Sequence, residues 1–232
     1  MPSREIPNMT VREQKEALRR SVTERLYQTQ AEKFPCSFFR SLRDFAPYRN
    51  AKTVLLYASL SYEAPTSRLI DFCLKDGKTT ALPKTQKRKH ADEGGIMDFY
   101  ILSPDRPFRE QTQIGPFGIA EPDSSCPLFV PEENRFPLLI CVPAIAFSET
   151  GIRLGRGAGY YDRYCERLAG AAPKIAGHNT SGGARAALQT PLIVYAGLCR
   201  DFQIVEKVPY EKHDLRVQFL ISEGGIRPVK AL

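Results

Sequence analysis

Apolar positions along the chain recur with two different periods, and the switches between them divide it into helices and strands. From Thr10 to Lys33 helix formers dominate, and Val11, Leu18, Val22 and Leu26 fall on roughly one face, which predicts an amphipathic helix. Thr53 to Ala58 is a short apolar run, the pattern of a buried strand. Helical spacing returns from Thr66 to Lys75 through Leu69, Ile70, Phe72, Cys73 and Leu74, with Gly77 as the stop. Lys78 to Leu82, halted by Pro83, predicts the next strand, and Ile96 to Leu102, Leu138 to Val142, Leu192 to Leu198 and Val217 to Ile221 predict four more. Tyr160 to Leu168 holds neither Gly nor Pro and reads as a helix. Strands alternating with helices predict an α/β fold of three layers, α/β/α, around a mostly parallel sheet. No repeat or internal boundary divides residues 1–232, which read as one domain. Residues 177–189, rich in Gly, Ser and Asn in their first half, read as a flexible insertion.

Composition narrows the possible partners without choosing one. A hydrophobic content of 42% is enough for a real core, and 33 Lys and Arg against 26 Asp and Glu give a formal charge of +7. That balance favours anionic partners: nucleic acid, nucleotide or polyanionic metabolite. Cys36, Cys73, Cys126, Cys141, Cys165 and Cys199 are scattered without a CxxC pair, the usage of reduced thiols in a cytoplasmic protein rather than a zinc site or disulfide framework. No apolar run approaches the ~20 residues that cross a bilayer. Pro2, Glu5 and Pro7 make a poor transit peptide. The run Lys84-Thr-Gln-Lys-Arg-Lys-His90 has two readings, a solvated loop or a basic patch that attracts phosphates or acidic side chains.

The richest chemistry is concentrated in Gly151-Ile-Arg-Leu-Gly-Arg-Gly-Ala-Gly-Tyr-Tyr-Asp-Arg163. Gly155, Gly157 and Gly159 can take left-handed backbone angles that aim several N–H groups at one anion and let a ligand approach closely. The loop follows the Leu138 to Val142 strand and feeds a helix N-terminus, whose partial positive charge also favours phosphate. Arg153 and Arg156 offer bidentate donors to phosphate oxygens. Asp162, in the first turn, is placed either to hold magnesium against those oxygens or to cap the helix. No Gly-Lys-Ser/Thr follows, so this is not a P-loop, and the GxGxxG spacing of a dinucleotide fingerprint is missing.

This segment closely resembles the Arg-Leu-Gly-Arg-Gly-x-Gly-Tyr-Tyr-Asp signature of the 5-formyltetrahydrofolate cyclo-ligase (5,10-methenyltetrahydrofolate synthetase) family. Further landmarks follow the family's order: Lys15-Glu-Ala-Leu-Arg19, Tyr57-Ala-Ser-Leu-Ser-Tyr-Glu63-Ala-Pro-Thr66, Gly118-Ile-Ala-Glu-Pro122, Val142-Pro-Ala-Ile-Ala-Phe147 and Gln203-Ile-Val-Glu-Lys-Val-Pro209 before His213-Asp214. The resemblance implies a fold similar to phosphosugar isomerases and CoA transferases, and a ligase of one-carbon folate metabolism. Its reaction would be the ATP-dependent, magnesium-dependent cyclisation of 5-formyltetrahydrofolate to 5,10-methenyltetrahydrofolate through a phosphorylated formyl group, releasing ADP and phosphate.

Residue roles follow from the same match. It assigns ATP to Lys15, Arg19, Arg153, Gly155, Arg156, Gly157, Ala158, Gly159, Tyr160 and Tyr161, and magnesium to Asp162 and Asp214. Ala58 and Glu63 would meet the folate, a carboxylate being suited to the donor-rich edge of a pterin. Arg156 and Tyr160 would serve both ligands and carry the catalysis. The implied protein is a cytoplasmic monomer acting on 5-formyltetrahydrofolate and on its polyglutamates, with neither nucleic acid nor membrane as partner. Two other classes stay open on the residues alone. One is a different phosphate-ligand enzyme on the same scaffold, such as a sugar-phosphate isomerase or acyl-CoA transferase; the other is a basic nucleic-acid-binding module, for which no RNP-like aromatic pair is present.

Overall fold

The computed structural model describes residues 9–28, 35–86, 95–176 and 192–231. Helices α1 (Val11–Gln28), α2 (Cys36–Asp44) and α3 (Ala46–Asn50) precede strand β1 (Thr53–Leu55), helix α4 (Ser67–Lys75) and strands β2 (Thr79–Gln86) and β3 (Ile96–Ile101). Next come β4 (Thr112–Ile114), β5 (Ala120–Pro122), β6 (Leu138–Val142), β7 (Ala146–Ser148) and β8 (Arg153–Leu154), then helix α5 (Tyr160–Ala176). Strands β9 (Ile193–Leu198), β10 (Ile204–Val205), β11 (Phe219–Ser222) and β12 (Gly225–Pro228) complete the order.

Seven strands form the main sheet in the order β12-β11-β9-β6-β1-β2-β3. The inner strands from β11 to β2 run parallel, while β12 and β3 close the two edges antiparallel. Every residue of β6 is buried, as a strand covered on both faces requires. Its side chains divide by the two-residue period of a strand. Leu139 and Cys141 join one core with Leu42, Tyr48, Leu69 and Ile70 of α2 to α4, whereas Leu138, Ile140 and Val142 join the opposite core with Tyr164 and Leu168 of α5. The mostly parallel three-layer arrangement is therefore the expected one.

Details depart from the periodicity for local reasons. Strand β2 runs on to Gln86 through Pro83 instead of stopping there. Leu56 donates to the Ala81 carbonyl, so odd-numbered residues of β2 face β1, and Pro83 points the same way beyond the end of β1. Its missing N–H thus costs no ladder bond. Helix α5 likewise continues past Leu168 through Gly170 and Pro173. Helix α1 begins with a capping box in which Glu13 N–H donates to Thr10 Oγ1 and Thr10 N–H to Glu13 Oε2. Its apolar face is narrower than predicted, because Val11 is exposed while Val22 and Leu26 are buried. That face packs on the small sheet β10-β7-β8 through Ala146, Ile152 and Leu154, which brings the N-terminal helix beside the glycine motif. The segment 177–189 and residues 87–90 of the basic run lie outside the described residues.

Candidate functional site

The site gathers where the parallel strands end, the usual position in an open α/β sheet. After β1 the chain runs through Tyr57 and Ala58 into a loop tied by reciprocal bonds: Ser59 N–H to Thr66 Oγ1 at 2.9 Å and Thr66 N–H to Ser59 Oγ at 3.1 Å. This tie closes a tight loop, and Glu63 is fixed within it because its Oε2 accepts the Leu60 N–H at 2.9 Å. Ser59 therefore serves this loop and is not among the residues lining the cavity beside it.

Between β8 and α5 the glycines perform different tasks. Gly157 and Gly159 have φ of 102° and 66°, the left-handed conformations expected of them. Gly155 does not share that conformation, which corrects the expectation for all three. Its lack of a side chain instead makes room for Arg153, whose guanidinium atoms lie 2.9–3.1 Å from where a Cβ would stand. Helix α5 then begins with Arg163 N–H donating to the Gly159 carbonyl.

Two cavities of contrasting character meet at this loop. An apolar one of about 410 Å³ is lined by Tyr57, Ala58, Glu63, Met97, Phe117, Glu121, Ala158, Tyr160 and Tyr161, among others. A charged one of about 600 Å³ is lined by Lys15, Arg19, Gly155, Gly157, Asp162, Glu211, His213 and Asp214, with Arg12, Glu16 and Arg163 at its border. Arg153, Arg156 and Gly159 line both. A group bound in either cavity can therefore reach the same two guanidinium groups.

Ion pairs hold these charged side chains in place. Lys15 Nζ contacts Asp214 Oδ2 at 2.7 Å and Glu211 Oε2 at 2.9 Å, although the lysine lies on α1 and the carboxylates near the C-terminus. Burial of Lys15 disfavours its charge, but the two carboxylates outweigh that cost and raise its pKa. Arg19 Nε donates to the Gly155 carbonyl at 2.9 Å, linking the same helix face to the motif. Arg153 is buried, donates Nε–H to the Pro143 carbonyl at 2.9 Å and meets Asp162 Oδ1 at 3.1 Å. Arg156 meets Glu63 Oε1 at 2.6 Å and the Tyr62 hydroxyl at 3.1 Å. Burial opposes the charge of Arg156 too, and Glu63 more than offsets it.

Asp162 and Asp214 come together across the chain, since Asp162 Oδ1 accepts the N–H of Leu215, the residue after Asp214, at 3.2 Å. One ligand atom from each of Glu211, His213 and Asp214 lies within 4.8 Å of the others, and no other such group of three occurs among the described residues. The carboxylate oxygens of Glu211 and Asp214 are the donor type that suits magnesium, whereas Asp162, the other aspartate expected at the metal, is not a member of this group. Each aspartate is also matched by a cation, Arg153 or Lys15, so an arriving metal ion would share or displace those contacts.

The structure thus brings together, along two adjoining cavities, the residues to which the resemblance gives ATP, folate or metal roles, but divides the ATP set. Ala158, Tyr160 and Tyr161 line the apolar cavity and not the charged one. Burial pushes the Tyr161 phenol well up, and its hydroxyl has no hydrogen-bond partner among the described residues. Tyr57, Tyr62, Thr85, Met97, Phe117 and Glu121 were not anticipated as site residues. For Glu121 a signal existed in Gly118-Ile-Ala-Glu-Pro122, which carried the resemblance without a role; for Met97 and Thr85 only strand pairing reveals the position.

Comparison with known proteins bears on the family and the fold. The model of the 5-formyltetrahydrofolate cyclo-ligase family matches residues 9–223. The Saccharomyces cerevisiae 5-formyltetrahydrofolate cyclo-ligase is 29% identical over 195 residues, 80% of this chain and 82% of the yeast protein. The enzyme of that name from Haemophilus influenzae is 31% identical over 171 residues, 72% of this chain and 73% of its own length. In structure, the chain is similar to Aquifex aeolicus 5,10-methenyltetrahydrofolate synthetase with a TM-score of 0.63 at 25% identity, covering 94% of each chain.

Proposed function

Since the chain belongs to the 5-formyltetrahydrofolate cyclo-ligase family, we propose that it closes the formyl group of 5-formyltetrahydrofolate onto the neighbouring folate nitrogen at the expense of ATP. The observation that carries this reading is the pair of cavities, one apolar and one charged, that share Arg153, Arg156 and Gly159 as a wall. A flat ring system and a triphosphate have opposite requirements, and the site provides for both side by side.

The reaction balances as two transfers. The formyl oxygen would leave poorly as hydroxide, so it first takes the γ-phosphoryl group, releasing ADP. The second folate nitrogen then attacks the formyl carbon, loses its proton, and phosphate departs with the original oxygen. Such chemistry asks for positioning and charge neutralisation, not for a side-chain nucleophile. Arg156, held by Glu63 and Tyr62, would stabilise charge on the moving phosphoryl group and the formyl oxygen. Tyr160, whose ring stands edge-on to Phe117 at 6.3 Å, would pack the folate at the reacting end. Ala58 and Glu63 complete that pocket. Lys15, Arg19, Gly155, Gly157 and Gly159 would receive the phosphates, with Ala158 and Tyr161 behind them at the cavity wall. Asp162 and Asp214 would hold magnesium, which when bound neutralises phosphate charge.

The reading includes action as a monomer in the cytoplasm, on folate with or without a polyglutamate tail. Among the described residues no helix is long and apolar enough to cross a membrane. Purified protein mixed with 5-formyltetrahydrofolate, magnesium and ATP is expected to generate the methenyl chromophore, and omitting ATP should abolish it. No product under any metal condition, or turnover that survives complete removal of ATP, overturns the reading.

A further inference from the structure

Glu121 is a buried carboxylate on the apolar cavity, and among the described residues no cation pairs with it. It is 5% exposed, and both bonds it receives, from Thr85 N–H at 3.1 Å and Thr85 Oγ1 at 2.6 Å, end on the same oxygen, Oε1. Among the described residues no ion pair reaches it. The nearby cations are committed elsewhere: Arg153 to Asp162, Arg156 to Glu63, and Lys84 to the Pro122 carbonyl at 3.0 Å and the face of Tyr100. Apolar groups such as Met97, Phe117 and Ile119 line the same cavity.

The fold makes room for this arrangement. Glu121 lies on β5, paired with β4 across a hairpin whose turn contains Gly115 and Gly118. A Cβ on Gly115 would stand 2.5 Å from Glu121 Oε2, so the glycine leaves the carboxylate its place. Burying a charge without a counter-charge is costly, and the cost is recovered when a ligand brings donors to it. Glu63, the carboxylate expected to read the folate ring, has one oxygen on Arg156 and the other on a backbone N–H. Among the described residues no hydrogen bond ends on Glu121 Oε2.

We propose that Glu121 is a substrate-specificity residue, whose free carboxylate oxygen receives the N–H donors of the 2-amino-4-oxopyrimidine ring of a reduced pterin bound in the apolar cavity. A ring N–H and the adjacent exocyclic amine are donors that a carboxylate oxygen can accept. Glu63 then belongs to the reacting end with Arg156, and Glu121 to recognition of the ring. Fixation by Thr85 sets the carboxylate before the ligand arrives, as a specific site requires. This assignment rests on the reduced-folate reading above.

Glu121→Gln keeps size and an acceptor oxygen while removing the charge. It is expected to raise the KM for 5-formyltetrahydrofolate about 10- to 100-fold, with kcat within about threefold and the KM for ATP unchanged. The melting temperature of the ligand-free variant should equal or exceed that of the parent, because an uncompensated buried charge has gone. A purely structural role would lower the melting temperature and shift both KM values together, and that result overturns the proposal. So does a folate KM within twofold of the parent. Calorimetric binding of a tail-free tetrahydropterin to both proteins separates this assignment from the reaction. Binding weakened by Glu121→Gln in a parent that does not turn over folate sinks the reaction alone. Turnover by the parent with tetrahydropterin bound equally by both proteins, or by neither, sinks the role of Glu121 alone.

Discussion

Asp162→Asn tests the charged cavity most directly, because Asp162 is both a proposed metal ligand and the counter-charge of a buried arginine. Its Oδ1 and Oδ2 lie 3.1 and 3.3 Å from Arg153 Nη1, and Oδ1 also accepts the Leu215 N–H at 3.2 Å. The Arg153 side chain is only 6% exposed and that of Asp162 is 26% exposed. Asparagine retains one acceptor oxygen, so the loss is the difference between a charge-assisted and a neutral hydrogen bond, about 1–2 kcal/mol. The 3–5 kcal/mol of a severed buried pair, roughly, does not apply, since Arg153 keeps its bond to Pro143 and its place over the Tyr161 ring. At about 2–4 °C per kcal/mol for a chain of this size, the melting temperature should fall by roughly 2–8 °C. Turnover should fall by about 100-fold or more, beyond the ~10–100-fold that loss of an outer-shell partner costs, with partial recovery at high magnesium. Thermal melts without ligand and methenyl formation across a magnesium titration measure the two effects separately. Wild-type turnover at every magnesium concentration would remove Asp162 from the metal role, and an unchanged melting temperature would refute the ion-pair argument.

Three further outcomes follow from particular contacts. Lys15→Met should raise the KM for ATP about tenfold without moving that for folate, as loss of one charge-assisted contact implies. The raised pKa of Lys15 means that its stabilising contribution is complete below the unfolded value of about 10.4 and is lost as pH rises through the folded one. The melting-temperature gap between parent and variant should therefore persist at neutral pH and close only in strong alkali; a gap that closes near neutrality contradicts the pairing. Gly95→Ala would drive a Cβ into the Tyr160 hydroxyl, so the ring must swing away; kcat should drop several-fold in steady-state assays while the protein melts near the parent temperature, and unchanged kcat would show that Tyr160 needs no fixed position. Burial pushes the thiols of Cys141 and Cys165 up to about 12 and those of Cys73, Cys126 and Cys199 up as well. Alkylation at pH 8 should spare all five in the native protein and modify them after denaturation, as read by mass spectrometry; rapid native labelling of any of them would contradict its burial.

Much of the fold could be read along the chain because its signals are local. The all-apolar β6 and the amphipathic α1 and α4 carry their periods within a single segment, and the glycine motif carries its conformational needs in consecutive residues. Other elements left no such trace. Strands β7, β8 and β10 have only two or three residues, too few to express a period. Pro83 read as a strand end because a missing N–H matters only where a neighbouring strand would use it, and the length of β1 decides that.

The sequence by itself determined the alternating α/β pattern, the glycine- and arginine-rich loop of residues 151–163 and, through its landmarks, the family. Only the tertiary structure decided which charges meet. Lys15 finds Asp214 across 199 positions and Arg156 finds Glu63 across 93, pairings that no local pattern records. The fold also separated the tyrosine pair from the charged cavity and left Glu121 bonded to Thr85, with no ion pair among the described residues. Such relations depend on strand order and on which helix covers which edge. Each local segment is compatible with many such arrangements, and packing of the whole chain selects one.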